Sequence, residues 1–359
     1  MIQTYKSYLI KLFLKKLLSI FILFFGLIII LSVFEEISFF KDTNASFFLP
    51  FLLTVLNTPS TIFEIFPFIF LISSQLFFIT LINKNELEIF KINGLSNFRI
   101  LRIIFTTSVI LGLLIIIIFY SASSKMKFFY LDVKNNYSSD NKYLAMVTEN
   151  GLWIKDEIDE KILIINAFKI EKNFLKNVEI AEFDNNFNLV QMITSEEINI
   201  ESDNWLIKKP IISKNNEIEE ISNSIKLKTH FDVVKINSLF REMSSLNILE
   251  LFKLKRDYES LGYSTNEVSL SLQKIFSYPL FLSFMSVLSG IIMLNLGRNR
   301  SNLFHIILGI FLSVLIYYFY FLSTLFGENG KLPIYLSVWF PLVIILFVLL
   351  IGLIRINEK

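Results

Sequence analysis

Residues 62–82 read IFEIFPFIFLISSQLFFITLI, and residues 83–96, NKNELEIFKINGLS, follow at once. The first string can cross about 30 Å of hydrocarbon, which takes roughly 20 residues at ~1.5 Å each. The second breaks into acids, lysines and asparagines, stops at Asn93-Gly94, and gives way to a further apolar run at 103–120. A greasy string that long, a short polar elbow and a second greasy string define a membrane hairpin. The fold class follows from that reading.

Outward from the hairpin, the whole chain agrees. Hydrophobic residues make up 53% of 359, with 39 Phe and a mean hydropathy of +0.58. A soluble core cannot hide that much apolar surface, so the chain is an integral membrane protein. Six runs qualify as spans, near 17–34, 62–82, 103–120, 275–296, 303–326 and 332–354. Lys11, Lys15 and Lys16 precede the first, as in a signal peptide. It is nevertheless long and leads into Glu35-Glu36 without a small-x-small cleavage site, so it reads as a retained anchor.

Lys and Arg near the span ends set the orientation. Lys6, Lys11, Lys15, Lys16, Lys84, Lys91, Arg99, Arg102, Arg298, Arg300, Arg355 and Lys359 fall on one side; the opposite short loops carry only Lys41 and Lys331. Both termini and the 83–102 elbow are therefore expected in the cytoplasm. The long segment 121–274 is expected on the far side, splitting the spans three and three. Glu197-Ile198-Asn199-Ile200-Glu201 and Ser224-Ile225-Lys226-Leu227-Lys228 alternate like strands. Glu149-Asn150-Gly151, Asp184-Asn185-Asn186 and Asp203-Asn204 supply turns, giving an all-β domain as a meander or sandwich. After it, Leu251, Leu254, Tyr258 and Leu261 form a helical stripe, Gly262 can cap that helix, and Ser264-Thr265-Asn266-Glu267 opens the next.

Chemistry is mostly excluded. The net charge of +2 and the lack of blocks of about five or six like charges give no basis for nucleic-acid binding. Zero Cys rules out disulfides, thiol catalysis and Cys-based zinc sites. No phosphate loop of the GxxxxGK[ST] type and no HExxH occurs. His230 and His305 are the two histidines; His305 reads as interfacial and His230 as a solvated strand residue. Glu64 sits near the outer end of its span, the one ionisable candidate for proton coupling. No catalytic residue, metal site or bound cofactor is expected, so energy for transport would come from a partner.

The elbow could meet such a partner. Asn83 or Asn85 can cap a short helix, Glu86 and Glu88 suit its positive N-terminal end, Leu87 and Phe90 share a side, and Asn93-Gly94 can end it left-handed. A helix of two or three turns is marginal in water and needs a surface. That surface is either a soluble protein or the lipid headgroups, which Lys91, Arg99 and Arg102 would hold.

ELEIFKINGLS at 86–96 is similar to the cytoplasmic coupling helix of the LptF/LptG lipopolysaccharide export permeases. GLWIKD at 151–156 resembles the start of the G-type periplasmic domain, and SLNILELFKLKRDYESLGYSTNEVSLSLQKIFSYPL at 245–280 resembles its helical hairpin and proline-bearing fourth span. The resemblance covers essentially the whole chain and is most like LptG. It implies a jellyroll-like β domain and these divisions: 1–120 with the coupling helix at 84–94, a periplasmic jellyroll at 121–235, a hairpin and linker at 236–274, and the last spans at 275–359. It implies a subunit of an ABC transporter in the bacterial inner membrane, paired with an LptF-like permease. An LptB-like ATPase dimer would use ATP and Mg, and an LptC-like bitopic protein and a periplasmic LptA-like bridge would receive the lipid. Glu86, Leu87, Glu88, Ile89, Phe90, Lys91 and Gly94 would be the ATPase coupling residues. Lipopolysaccharide would contact an apolar wall at 20–31 and 312–326, with Ser32, Lys41, Tyr317 and Tyr320 as candidate lipid contacts. Where G-type members often carry basic residues, this chain has Glu35-Glu36, which repel phosphate; they read as solvated caps. Two other classes remain: a membrane sensor or assembly scaffold, and a secondary transporter coupled through Glu64.

Overall fold

A computed structural model describes residues 2–41, 46–135, 137, 152–158, 161–171, 173–184, 187–202, 204–214, 217–220, 223–229, 231, 236, 242–260, 264–295 and 302–357. The chain divides into two units, Met1–Lys127 with Thr265–Lys359, and Phe128–Ser264. The first is helical and contains, among the described residues, six helices long and apolar enough to cross a membrane. The second contains an antiparallel β-sheet.

The spans are longer than their apolar runs. Helix α1 (Ile2–Phe40) is one piece of 39 residues, about 58 Å at ~1.5 Å per residue. Helix α2 (Leu49–Asn83) starts well before residue 62 because its polar first half satisfies itself. Thr54 Oγ1 donates to the Pro50 carbonyl (2.8 Å), Thr58 Oγ1 to that of Thr54 (2.7 Å) and Ser60 Oγ to that of Asn57 (2.9 Å). Hydroxyls folded back on their own helix can enter the bilayer cheaply. After the elbow helix α3 (Glu86–Ile92), α4 (Asn97–Leu114) passes through a π-helical turn, Ile115–Tyr120, into α5 (Ser121–Asn135). The expected start of the β domain at residue 121 is thus corrected: the helix continues, because Ser121 to Asn135 contains no Pro or Gly to stop it.

Helix α6 (Ile248–Ser260) belongs to the second unit and α7 (Asn266–Asn295), α8 (Asn302–Glu328) and α9 (Ile334–Asn357) to the first. Helix α7 is the hub, packing on α2, α4, α8 and α9, whereas α1 packs on α2 and, less, on α4. Ridges meet closely at glycines: a Cβ on Gly112 would sit 2.7 Å from Cα of Pro279, and one on Gly290 would sit 2.4 Å from Leu101 Cδ2.

The sheet has strands β1 (Leu152–Ile158), β2 (Lys161–Glu171), β3 (Phe174–Phe183), β4 (Leu189–Asn199), β5 (Asn204–Lys208), β6 (Ile211–Lys214), β7 (Glu217–Glu220) and β8 (Ile225–Lys228). Strands β5 and β6 keep one register against β4, with Glu197 opposite Lys208 and Thr194 opposite Ile211. They are a single broken strand, and β7 with β8, out of register by one residue, is another. The eight segments thus reduce to a meander of six, all antiparallel. This is the antiparallel β region, inserted between the third and fourth spans, that the sequence implies.

A crease crosses it where Asn177 (φ 48°) and Lys209 (φ 44°) turn left-handed. Buried positions change parity there, from Leu175 to Val178, Ser195 to Ile198 and Ile207 to Pro210. The ladders of β3 with β2 and β4, and of β4 with β5 and β6, keep their register across it, so the crease is a change of backbone conformation and not an inserted residue. Trp205, fully buried, donates from Nε1 to the Phe231 carbonyl at 2.7 Å.

Several expectations fall on residues outside the described ones: His230, Gly151, Asp203, Leu261, Gly262, Arg298 and Arg300. The turn at Asp184 is present, with Phe187 N and Asp184 O at 3.0 Å. Helix α6 buries Leu251 and Leu254 as its stripe requires. Its start carries a reciprocal cap the sequence reading passed over, Asn247 N to Glu250 Oε2 (2.9 Å) and Glu250 N to Asn247 Oδ1 (3.0 Å). The N-x-x-E spacing ahead of an apolar run was the available signal.

Candidate functional site

The elbow between α2 and α4 is built by backbone as much as by side chains. Asn85 stands left-handed (φ 57°), turning the chain out of α2 in the space of two residues. Its side chain makes no capping bond to α3, contrary to expectation; Asn, which tolerates that conformation, serves as the pivot instead. Glu86 and Glu88 lie in the first turn and Lys91 in the last, matching the helix dipole. Termination occurs where the sequence places it. Gly94 is left-handed (φ 80°), Leu95 N donates to the Phe90 carbonyl and Gly94 N to that of Lys91, both at 2.9 Å, and Leu95 is buried. This is the paired bond pattern of a glycine-terminated helix. Ser96 Oγ then accepts from Arg99 N (3.3 Å) to start α4.

The seven predicted coupling residues do not share one surface. Leu87 is buried and anchors the helix. Glu86 turns inward: Tyr8 of α1 donates its hydroxyl to Glu86 Oε2 at 2.7 Å, and Lys84 Nζ stands 3.8 Å from Oε1. Phe90 turns the same way, its ring 6.4 Å from that of Tyr8. Glu88, Ile89, Lys91, Ile92 and Gly94 face outward. Ile89 is 54% and Ile92 85% exposed, in a loop otherwise rich in charge. Two large aliphatic side chains held in the open beside Glu88 and Lys91 form a small apolar ridge with a charged border, the makeup of a protein-contact patch. Neither Tyr8 nor Ile92 was marked by the sequence, because Tyr8 lies 78 residues from its partner and Ile92 reads as one more apolar residue.

The candidate lipid contacts are scattered. Lys41 is exposed and Ser32 half-buried on α1. Tyr317 and Tyr320 turn into the bundle, Tyr317 against Phe68 (5.2 Å) and Tyr320 against Phe281 (4.9 Å), with the Tyr320 and Ser277 hydroxyls 3.4 Å apart. They pack helices together; Tyr318, 59% exposed, is the outward member of the trio. Glu35 is exposed, but Glu36 is buried and is no solvated cap, since α1 continues past it to Phe40 and carries it onto the protein side. His305 is buried, and its carbonyl accepts from Gln75 Nε2 at 3.0 Å. Among the described residues no group of three or more His, Cys, Asp or Glu could hold a metal ion.

Large apolar side chains are exposed along α1 (Leu23, Leu27, Ile30, Leu31, Phe34), α8 (Phe311, Val314, Leu315) and α9 (Phe340, Phe347, Ile351). Six spans long and apolar enough to cross a membrane, a short helix in the 83–96 loop and a β unit between the third and fourth spans make an integral membrane protein. The chain matches the family described as lipopolysaccharide export system permease LptF/LptG over residues 7–355, and it belongs to that family. Comparison with curated proteins finds no match to the chain.

Proposed function

We propose that this chain is the G-type permease subunit of an ABC transporter that extracts lipopolysaccharide from the bacterial inner membrane and passes it to a periplasmic bridge. The observation that carries the reading is the exposed Ile89–Ile92 ridge on a helix fixed at both ends, in the loop where the family places its coupling helix. A cytoplasmic LptB-like ATPase dimer seats that ridge and uses ATP and Mg. An LptF-like permease faces the apolar surfaces of α1 and α8, and the lipid's acyl chains run between them. The β unit hands the lipid to LptC-like and LptA-like proteins. Both termini lie in the cytoplasm and the β unit in the periplasm, a reading the lysine and arginine distribution supports. The G-type assignment rests on the 151–156 stretch and the hairpin at 245–280.

Copurification from native membranes tests this. An ATPase and a second six-span permease accompany the unaltered chain. Ile92→Asp together with Glu88→Lys reduces the ATPase recovered by at least about tenfold, roughly 1.4 kcal/mol of interface energy, while the second permease stays bound. Retention of the ATPase by that variant would sink the coupling role of α3.

A further inference from the structure

We propose that Tyr8 is a positioning residue that ties the contact helix α3 to the first span α1, so that a displacement of α3 is delivered to α1 as a rod. The inference rests on the coupling role just proposed for α3 and adds where the motion goes. Its basis is a bond between elements distant in sequence: Tyr8 Oη donates to Glu86 Oε2 at 2.7 Å, and the Tyr8 and Phe90 rings lie 6.4 Å apart. The acid in the first turn of α3, the position that looked like the grip for an external partner, is thereby engaged within the chain. The outward ridge meets the partner, while the inward side of the same helix holds α1.

Helix α1 is suited to carry what reaches Tyr8. It is unbroken from Ile2 to Phe40 and contains no Pro, the usual cause of a kink. Tyr8 precedes the apolar run at 17–34 by about 13 Å of helix, outside the hydrocarbon. Between the two, Phe13 is fully buried and meets Phe70 (6.4 Å) and Phe77 (6.1 Å) of α2 edge-on; Phe21 stacks on Phe66 at 5.9 Å. These contacts are a bearing on α2. Beyond them one face of that end, with Leu23, Leu27, Ile30, Leu31 and Phe34, is exposed, while Ile28, Glu36 and Phe40 on the other are buried. A push on α3 reaches Tyr8, turns about the Phe13–Phe21 bearing, and appears at the exposed far end. Without the hydroxyl the push is lost in the gap between α3 and α1.

Tyr8→Phe removes the donor and keeps the ring against Phe90. In the complete complex, reconstituted into vesicles containing lipopolysaccharide, the expected result is an unchanged rate of ATP hydrolysis, within twofold, with lipopolysaccharide released per ATP lower by about fivefold, equivalent to ~1 kcal/mol. Glu86→Ala gives the same loss, and adding Tyr8→Phe to it causes no further one; Glu86→Gln, which keeps an acceptor, retains most release. The chain has no Cys, so spin labels on Cys introduced at Lys11 and Lys91 are the only ones present. Their distance distribution is narrow in the unaltered chain and broadens in Tyr8→Phe. A Tyr8→Phe complex with unaltered release per ATP, or one in which hydrolysis and release fall together, overturns the proposal. If the unaltered complex shows no ATP-driven release, the permease reading fails. The label distances then still decide whether Tyr8 holds α3 to α1.

Discussion

The fourth and first spans are buried in inverse order to their hydropathy. The most apolar window of α7 has a mean hydropathy of 1.8 and is 89% buried, whereas that of α1 reaches 3.0 and is 17% buried. In water this would be perverse, and the sheet of the same chain does the ordinary thing, enclosing Ile165, Ile180, Ile198 and Trp205. In lipid an apolar side chain gains little by leaving acyl chains for protein. Burial then follows close packing and the pairing of polar groups. Helix α7 accordingly buries Ser277, Ser283 and Ser286, each with a hydrogen-bond partner, meets glycines of its neighbours, and crosses α4 where Ser108 Oγ donates to Ser286 Oγ at 3.0 Å. Helix α1 turns its large aliphatic residues outward, where partner or lipid covers them.

One substitution made in both helical environments breaks or sharpens this contrast most. A methyl group added at Gly112 on α4 would meet the Pro279 backbone of α7 at 2.7 Å, and backbone cannot swing aside. Gly112→Ala is expected to cost about 2–3 kcal/mol as overpacking. Gly26 on α1 has nothing within 4 Å of a new Cβ, so Gly26→Ala is neutral within about 0.5 kcal/mol. Thermal unfolding in detergent, followed by circular dichroism, reads both. Equal effects would mean that α1 is as tightly held as α7, and the picture of a hub and a loose rod would have to go.

A smaller effect is expected from the hydroxyl pair inside the bundle. A double-mutant cycle of Ser108→Ala and Ser286→Ala should return a coupling of about 0.6 kcal/mol, the usual worth of an interhelical bond in a membrane. Ser19→Ala on α1, whose hydroxyl returns to its own Lys15 carbonyl at 2.9 Å, should change nothing measurable. A coupling of zero would leave shape alone to hold α7 in the centre.

The same contrast explains what could be read in advance. Hydropathy is a local property, so all six spans were legible, and so was the stop at Asn93-Gly94, because left-handed glycine termination is decided within a few residues. Span ends were not. Thr54 and Thr58 look polar on paper but fold their hydroxyls onto their own helix, and the third span runs on through Ser121–Asn135 without a breaker. Direction was the least legible: which side Glu86 faces depends on Tyr8, and whether Tyr317 and Tyr320 meet lipid or protein depends on Phe68 and Phe281. In the sheet, alternation located strands near 197–201 and 224–228. The break after Lys208 had its own signal in Pro210, which cannot donate to a ladder.

The smallest effect belongs to the water-facing unit and has the opposite dependence on conditions. Glu197 stands at the crease with its carboxylate taking hydrogen bonds from Lys176 and from Lys208, the latter at 2.5 Å, and both lysines lie over the Phe174 ring. The Lys176 bond first, then that of Lys208, holds the Glu197 carboxyl below its ordinary value. A carboxyl whose folded pKa is depressed contributes stability above its unfolded value, near 4.3, and loses it as pH falls through the folded one. Glu197→Gln should therefore speed amide exchange in peptides of β3, β4 and β5 of the intact protein at pH 6, by a small factor because the pair is solvent-exposed, and less at high salt. Once the pH has fallen through the depressed folded value, the two proteins should converge. The Ser108–Ser286 contact contains no ionisable group, so peptides of α4 and α7 should show no such convergence. A difference that persisted in acid would mean the crease is pinned by the left-handed backbone at Asn177 and Lys209 rather than by charge.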